Sequence, residues 1–231
     1  MEANLYSVIH SWFYNQHQLR VQVVEDQNQA AKLKIGYGSN TLYFELEGRP
    51  DGLRPHSKES YFHYLQDVVQ KSHRDKIPFC LANDDRDALE EEAALYLLRA
   101  QAYFRNGQHQ SSEKDLLLVM TSLEYIVGES RDPVVCEHFS KFLDVLTLIY
   151  QKNLALFFQQ QGDYEAAGFT SQWAKRSLEK MYARASSSGF YFSEKDLKAM
   201  SCFTLDHADR PKIPLRNLNY RPFMEEPAFA K

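Results

Sequence analysis

"LRVQVVEDQNQAAKLKIGYGSNTLYFELE", residues 19–47, decides the fold. Leu19, Val21 and Val23 alternate with Arg20 and Gln22; Leu33, Ile35 and Tyr37 alternate with Lys32, Lys34 and Gly36; Leu42, Phe44 and Leu46 alternate with Tyr43, Glu45 and Glu47. A period of two puts every apolar side chain of a strand on one face. The runs are short and separated by turn residues, at 26–29 and 38–40. This predicts an antiparallel meander with one wet face. Three strands cannot bury that apolar face alone, so it needs cover. Residues 3–15 supply one helix, with Leu5, Val8, Ile9, Trp12 and Phe13 at helical spacing. Residues 57–73 supply a second, with Tyr61, Phe62, Leu65, Val68 and Val69 on its apolar face and Ser57 as the expected N-cap.

From 84 to 185 the period is helical. Four helices are expected, at about 87–105, 109–129, 133–160 and 163–185, with Asp87 and Glu90 at capping-box spacing. Gly107 and Gly162 suit helix C-terminal positions, and Pro133 suits a first turn. The fold class is therefore α+β: a small N-terminal three-stranded antiparallel sheet with flanking helices, followed by an all-α antiparallel helical-hairpin domain. The expected divisions are 1–80, 84–185 and an extended tail over 186–231. In that tail, "SEKDLKAM" has the makings of a short helix, and four prolines follow it.

Two helical segments align on their glycines. The first carries Ala100, Tyr103, Gly107, Ser112 and Leu116; the second carries Ala155, Phe158, Gly162, Tyr164 and Ala167. Small residue, aromatic, Gly and small residue in this order resemble the tetratricopeptide pattern. That resemblance implies paired antiparallel helices held close by small residues, and a groove for a protein partner. The spacing departs from it, since Gly107 and Gly162 lie 162 − 107 = 55 residues apart, where such units run about 34. Gln151 stands where the second unit calls for an aromatic. The stretch "GDYEAAGFTSQWAKRSLEKM" also resembles the UvrB/UvrC-type motif, and the overall layout is similar to uncharacterised bacterial proteins carrying it. That resemblance implies partner binding, with a DNA-repair accessory role as an alternative.

Composition narrows the function classes. The chain has 231 residues, 44% hydrophobic, with 27 basic and 31 acidic residues for a net charge of −4. No global basic field draws nucleic acid, so nucleic acid is not an expected partner. The 3 Cys are far apart and form no disulfide framework; they read as buried free thiols. The 8 His fall in no HxxxH or HExxH spacing, and no glycine-rich phosphate loop occurs. No metal, no cofactor and no catalytic residue is expected. No long apolar run or leader-like start is present, and the expectation is a cytoplasmic protein with no membrane partner.

Two candidate sites follow. The loop "LEGRPDGLRPHSKES" displays Arg49, Asp51, Arg54 and His56. It reads as a corner, with Pro50 and Gly52 shaping a tight turn, or as the site of a small-anion binder or enzyme, since paired arginines suit carboxylate and phosphate. The second is the groove implied by the hairpins, with Gln101, Arg105, Asn153 and Gln160 expected as exposed partner-binding side chains. The expected function is a non-enzymatic adaptor that binds a protein partner or another copy of itself through those hairpins. That reading requires the two helix faces to stand open.

Overall fold

A computed structural model describes residues 4–14, 19–26, 28–37, 40–77, 79–185 and 193–205. Among them lie α1 (Leu5–Tyr14), β1 (Arg20–Glu25), β2 (Ala31–Tyr37), β3 (Asn40–Glu45), α2 (Tyr61–Arg74), α3 (Asn83–Arg105), α4 (His109–Glu129), α5 (Pro133–Gln160), α6 (Tyr164–Ala185) and α7 (Glu194–Leu205). The strands form an antiparallel sheet in the order β1-β2-β3. Leu33 is flanked by Val23 and Phe44, and Ile35 by Val21 and Leu42. Leu33 and Ile35 are fully buried, and Phe44 nearly so. On the wet face the Nζ of Lys32 lies 2.8 Å from Glu45, and Lys34 sits over the Tyr43 ring. The Asp26 carboxylate closes the first turn by accepting from the backbone of Asn28 and Ala30.

The helices end where local chemistry ends them. At the α3/α4 turn, Gln108 N–H donates to Tyr103 C=O at 2.9 Å and Gly107 N–H to Phe104 C=O at 3.2 Å, with Gly107 at φ 71°. At the α5/α6 turn, Asp163 donates to Phe158 at 2.9 Å and Gly162 to Gln159 at 3.1 Å, with Gly162 at φ 77°. Both are Schellman closures, in which a left-handed residue satisfies the last carbonyls. Asp163 then caps α6 through Ala166 N–H. Asp132 caps α5 through Val134 N–H, with Pro133 in the first turn.

Two caps differ from expectation. Ser60, not Ser57, caps α2: its backbone is extended and its hydroxyl accepts from His63 N–H. Pro55 starts a separate 3-10 turn over Pro55–Ser57, which delays the helix. Helix α3 begins at Asn83, so Asp87 and Glu90 lie inside it and form no capping box.

Helix α3 is the centre of the molecule. All eight residues from 96 to 103 are buried. It packs against α1, α2, α4 and β1, so it has no solvent stripe along this stretch. One apolar cluster runs from Leu5 in α1 through the sheet and the helices to Phe203 in α7. The division expected near residue 80 therefore does not separate two cores. The segment 206–231 lies outside the described residues. The thiols expected in the core are not there: Cys80 and Cys202 are exposed and Cys136 is half-buried. Among the described residues no helix is long and apolar enough to cross a membrane.

Two polar residues within the buried run of α3, Arg99 and Tyr103, tie it to its neighbours. Arg99 grips Asp115 of α4 with two hydrogen bonds, Nε to Oδ2 at 2.8 Å and Nη2 to Oδ1 at 2.7 Å. Its Nη1 donates to the Glu45 carbonyl of β3 at 2.8 Å. Tyr103 donates to the Leu46 carbonyl at 2.7 Å. Breaking one side of a buried pair leaves an uncompensated charge. Arg99→Met is expected to cost about 3–5 kcal/mol in urea denaturation. Arg99→Met/Asp115→Leu, which removes both charges, is expected to regain most of that loss.

Candidate functional site

The loop after β3 folds inward before it turns outward. Pro50 is buried and its carbonyl accepts from Glu45 N–H at 2.8 Å. Gly52 N–H donates to Arg49 C=O at 2.9 Å, closing the turn with Pro50 second and Gly52 at φ 75°. The Asp51 carboxylate accepts from Leu53 N–H and pairs with Arg49 Nε. Arg49 Nη1 reaches Glu92 Oε2 of α3 at 3.2 Å. Glu92 is only 2% exposed, and it accepts from Tyr61 N–H at 2.7 Å and Phe62 N–H at 3.1 Å. Those are otherwise orphaned donors at the start of α2. Burial pushes the Glu92 carboxyl up, against the two backbone donors and Arg49, which favour its charge.

The four loop residues thus divide into two pairs. Arg49 and Asp51 are committed to each other and to α3. Arg54 and His56 are exposed. His56 has φ 50° and its ring stacks on Tyr64 at 3.8 Å between centroids. Arg49 has no free fork to offer an anion. Arg49 and Asp51 tie the loop to α3, and His56 ties it to α2, contacts that suit the corner reading.

The groove residues are placed differently from expectation. Gln101 is 1% exposed, with Oε1 2.9 Å from the Ser11 hydroxyl of α1. Asn153 is fully buried between α5 and α4, its Nδ2 donating to His109 C=O at 2.9 Å. Arg105 is half-buried, and desolvation lowers its pKa. Gln160 is exposed and donates to the Gly107 carbonyl at 3.0 Å, bridging the two turns. Expected as open surface, Gln101 and Asn153 are interior. The physical reason is cover: α1 lies on α3 and meets Gln101 through Ser11, and the start of α4 meets Asn153 through His109.

Sequence reasoning did not single out Glu92, Arg99, Asp115 or His109. A signal existed for Arg99, a charge set between Leu98 and Ala100 in an apolar run. His109 Nδ1 lies 2.9 Å from Asn153 Oδ1. An amide oxygen only accepts and the amide nitrogen is engaged by His109 C=O, so Nδ1 carries the proton. Gln151 is fully buried with neither amide atom hydrogen-bonded, a cost to stability at the position where the tetratricopeptide resemblance calls for an aromatic.

Because Arg49 neutralises a buried carboxylate, Arg49→Ala is expected to destabilise by about 2–3 kcal/mol, short of a full pair because the two backbone donors remain. Arg54→Ala is expected to stay within about 0.5 kcal/mol. Urea denaturation of both variants decides between corner and site. Burial lowers the pKa of His109 against the opposing bond to Asn153. A histidine depressed in the folded state binds more protons when unfolded, so stability is full above the unfolded value of about 6.5 and falls as pH drops below it. Thermal melts at pH 7.5 and pH 5.5 are expected to show that loss, and His109→Gln is expected to reduce it. His138, also lowered by burial, supplies a remaining part.

Comparison with protein-family models, with curated proteins and with solved structures returned no match for this chain.

Proposed function

We propose that the chain is a non-enzymatic protein-binding module whose helical hairpins receive helical segments of a partner on the side of α3 and α5. One observation supports this above the rest. The faces do not stand open as expected: α1 packs on α3, and α7 lies on α6 and α1 and reaches α3 through Phe203 against Phe104. That these faces accept amphipathic helices of the chain itself is what supports the reading. Each turns an aromatic face inward, Trp12 and Phe13 from α1 and Phe203 from α7. A surface built to take amphipathic helices reads them by anchors one turn apart, as helix-in-groove recognition does. The tetratricopeptide-like features fit the same role: two equivalent glycine closures, and buried Ala93, Ala100, Ala167 and Ala174 that allow close helix approach.

Lysine-reactive cross-linking of the full chain in lysate, read by mass spectrometry, tests this reading. Partner cross-links are expected at Lys175, Lys180, Lys195 and Lys198 of α6 and α7. Cross-links confined to Lys32, Lys34 and Lys58 would move the interface to the sheet and loop and overturn it.

A further inference from the structure

The sheet order β1-β2-β3 leaves one outer edge on β1 and one on β3. The β3 edge is engaged by its own chain. Glu45 N–H donates to Pro50 C=O at 2.8 Å, and the carbonyls of Glu45 and Leu46 accept from Arg99 and Tyr103. Among the described residues, the β1 backbone pairs with β2 alone. Protein sheets blunt a free edge with Lys, Pro, a bulge or a covering element. β1, RVQVVE, has neither Lys nor Pro. Its register with β2 runs unbroken from Arg20↔Gly36 to Glu25↔Ala31, so it carries no bulge. Arg20, Gln22, Val23 and Glu25 are exposed, and Val23 at 52% is an apolar side chain left in water at that edge.

The turn after β1 fixes which backbone groups face outward. Asp26 N–H donates to Ala30 C=O at 2.8 Å, towards β2. In an antiparallel pair the N–H and C=O of one residue point to the same side, and the side alternates along the strand. Gln22 and Val24 therefore bond to β2, while Val21, Val23 and Glu25 turn both groups outward. An antiparallel copy of β1 centred on Val23 satisfies all of these groups. Val23 then exchanges bonds with Val23 of the second copy, and Val21 with its Glu25. The same register sets Arg20 opposite Asp26 of the second copy on the wet face, twice over by symmetry. That carboxylate is held in place by the N–H groups of Asn28 and Ala30, with Oδ2 3.5 Å from Lys32. Centring the pair on Gln22 instead puts Arg20 opposite Val24 and loses the charge match.

We propose that β1 is a dimerisation edge, on which a second copy of this chain pairs antiparallel about a two-fold axis at Val23 and joins the two sheets into one. The contact is isologous, so each outward donor meets its acceptor on both sides of the axis. The main chain supplies the bonds, as in recognition by strand addition. The Arg20 and Asp26 pairs select the register, and Val23 against Val23 removes the exposed apolar surface. Two short strands make a contact at the small, transient end of the range, so the dimer forms by mass action. This edge lies apart from the helix-binding side, and the inference does not rest on that reading.

Sedimentation velocity of the full chain from about 1 μM to about 300 μM is expected to show a monomer passing into a dimer. Val23→Pro removes an outward N–H and no bond to β2. It is expected to keep the wild-type thermal melt and to stay monomeric throughout. Arg20→Glu sets like charges opposite each other at two places and is expected to raise the dimer Kd about tenfold. Hydrogen exchange on the wild-type chain reads the register even where Val23→Pro fails to fold. The amides of Val21, Val23 and Glu25 are expected to exchange at least about tenfold slower at the high concentration than at the low one. Those of Gln22 and Val24, bonded to β2, are expected to be protected at both. A monomer across the whole range would overturn the proposal. So would a dimer that Arg20→Glu or a folded Val23→Pro leaves undiminished. So would a dimer whose Val21, Val23 and Glu25 amides exchange at one rate at both concentrations.

Discussion

The guanidinium of Arg99 is the joint on which the architecture turns. It holds the Asp115 carboxylate of α4, the Glu45 carbonyl at the end of β3, and the flanking rings of Tyr96 at 5.1 Å and Tyr103 at 5.9 Å. A buried cation is tolerated when its donors are satisfied and its charge is matched. The planar fork of arginine meets both demands, and lysine would not. One side chain thereby sets the distance between α3 and α4 and the position of β3 over both. Burial pushes the Asp115 carboxyl up, opposed by the two bonds and the charge of Arg99. The pair is consequently intolerant of losing one member.

Glu92 continues the same logic along α3. Glu92, Tyr96, Arg99 and Tyr103 recur at helical spacing, so they share one face. That face is polar yet buried, and it docks the β3 end, the loop and the start of α2. Glu92 supplies the acceptors that the first turn of α2 lacks, and Arg49 supplies the countercharge. The glycines and prolines of the loop are then explained by geometry: a tight turn must bring Arg49 inward while α2 starts at a set angle.

The opposite side of α3 is shaped by cover rather than by charge. Here α1 and α7 meet through Tyr14 and Asp196, and their aromatic side chains share one ring cluster. Desolvation works against the charged form of Asp196, but the bonds from Tyr14 and Ser193 outweigh it and hold the carboxyl below its ordinary value. The same residue therefore stabilises the helix start of α7 and its attachment. The fold's central helix is thus clamped by ions on one face and by aromatic packing on the other. The second kind of contact is non-directional, and it exchanges one apolar partner for another at lower cost.

By itself the sequence determined the elements and their ends. Period-two runs placed the meander, period-3.6 runs placed α4 and α5 at their observed boundaries, and Gly107, Gly162 and Pro133 marked the turns. Those signals are legible because strand alternation, helical spacing and left-handed backbone are properties of neighbouring residues. Only the tertiary structure decided which faces became interior. Ser11 meets Gln101 across 90 residues of sequence, and Arg99 meets the Glu45 carbonyl across 54. Gln101 and Asn153 look like open surface in their own helices and are buried by helices from elsewhere in the chain. Arg49 looks available for an anion and is spent on Glu92. Burial and ion pairing depend on what packs against a residue, and no local pattern encodes that neighbour.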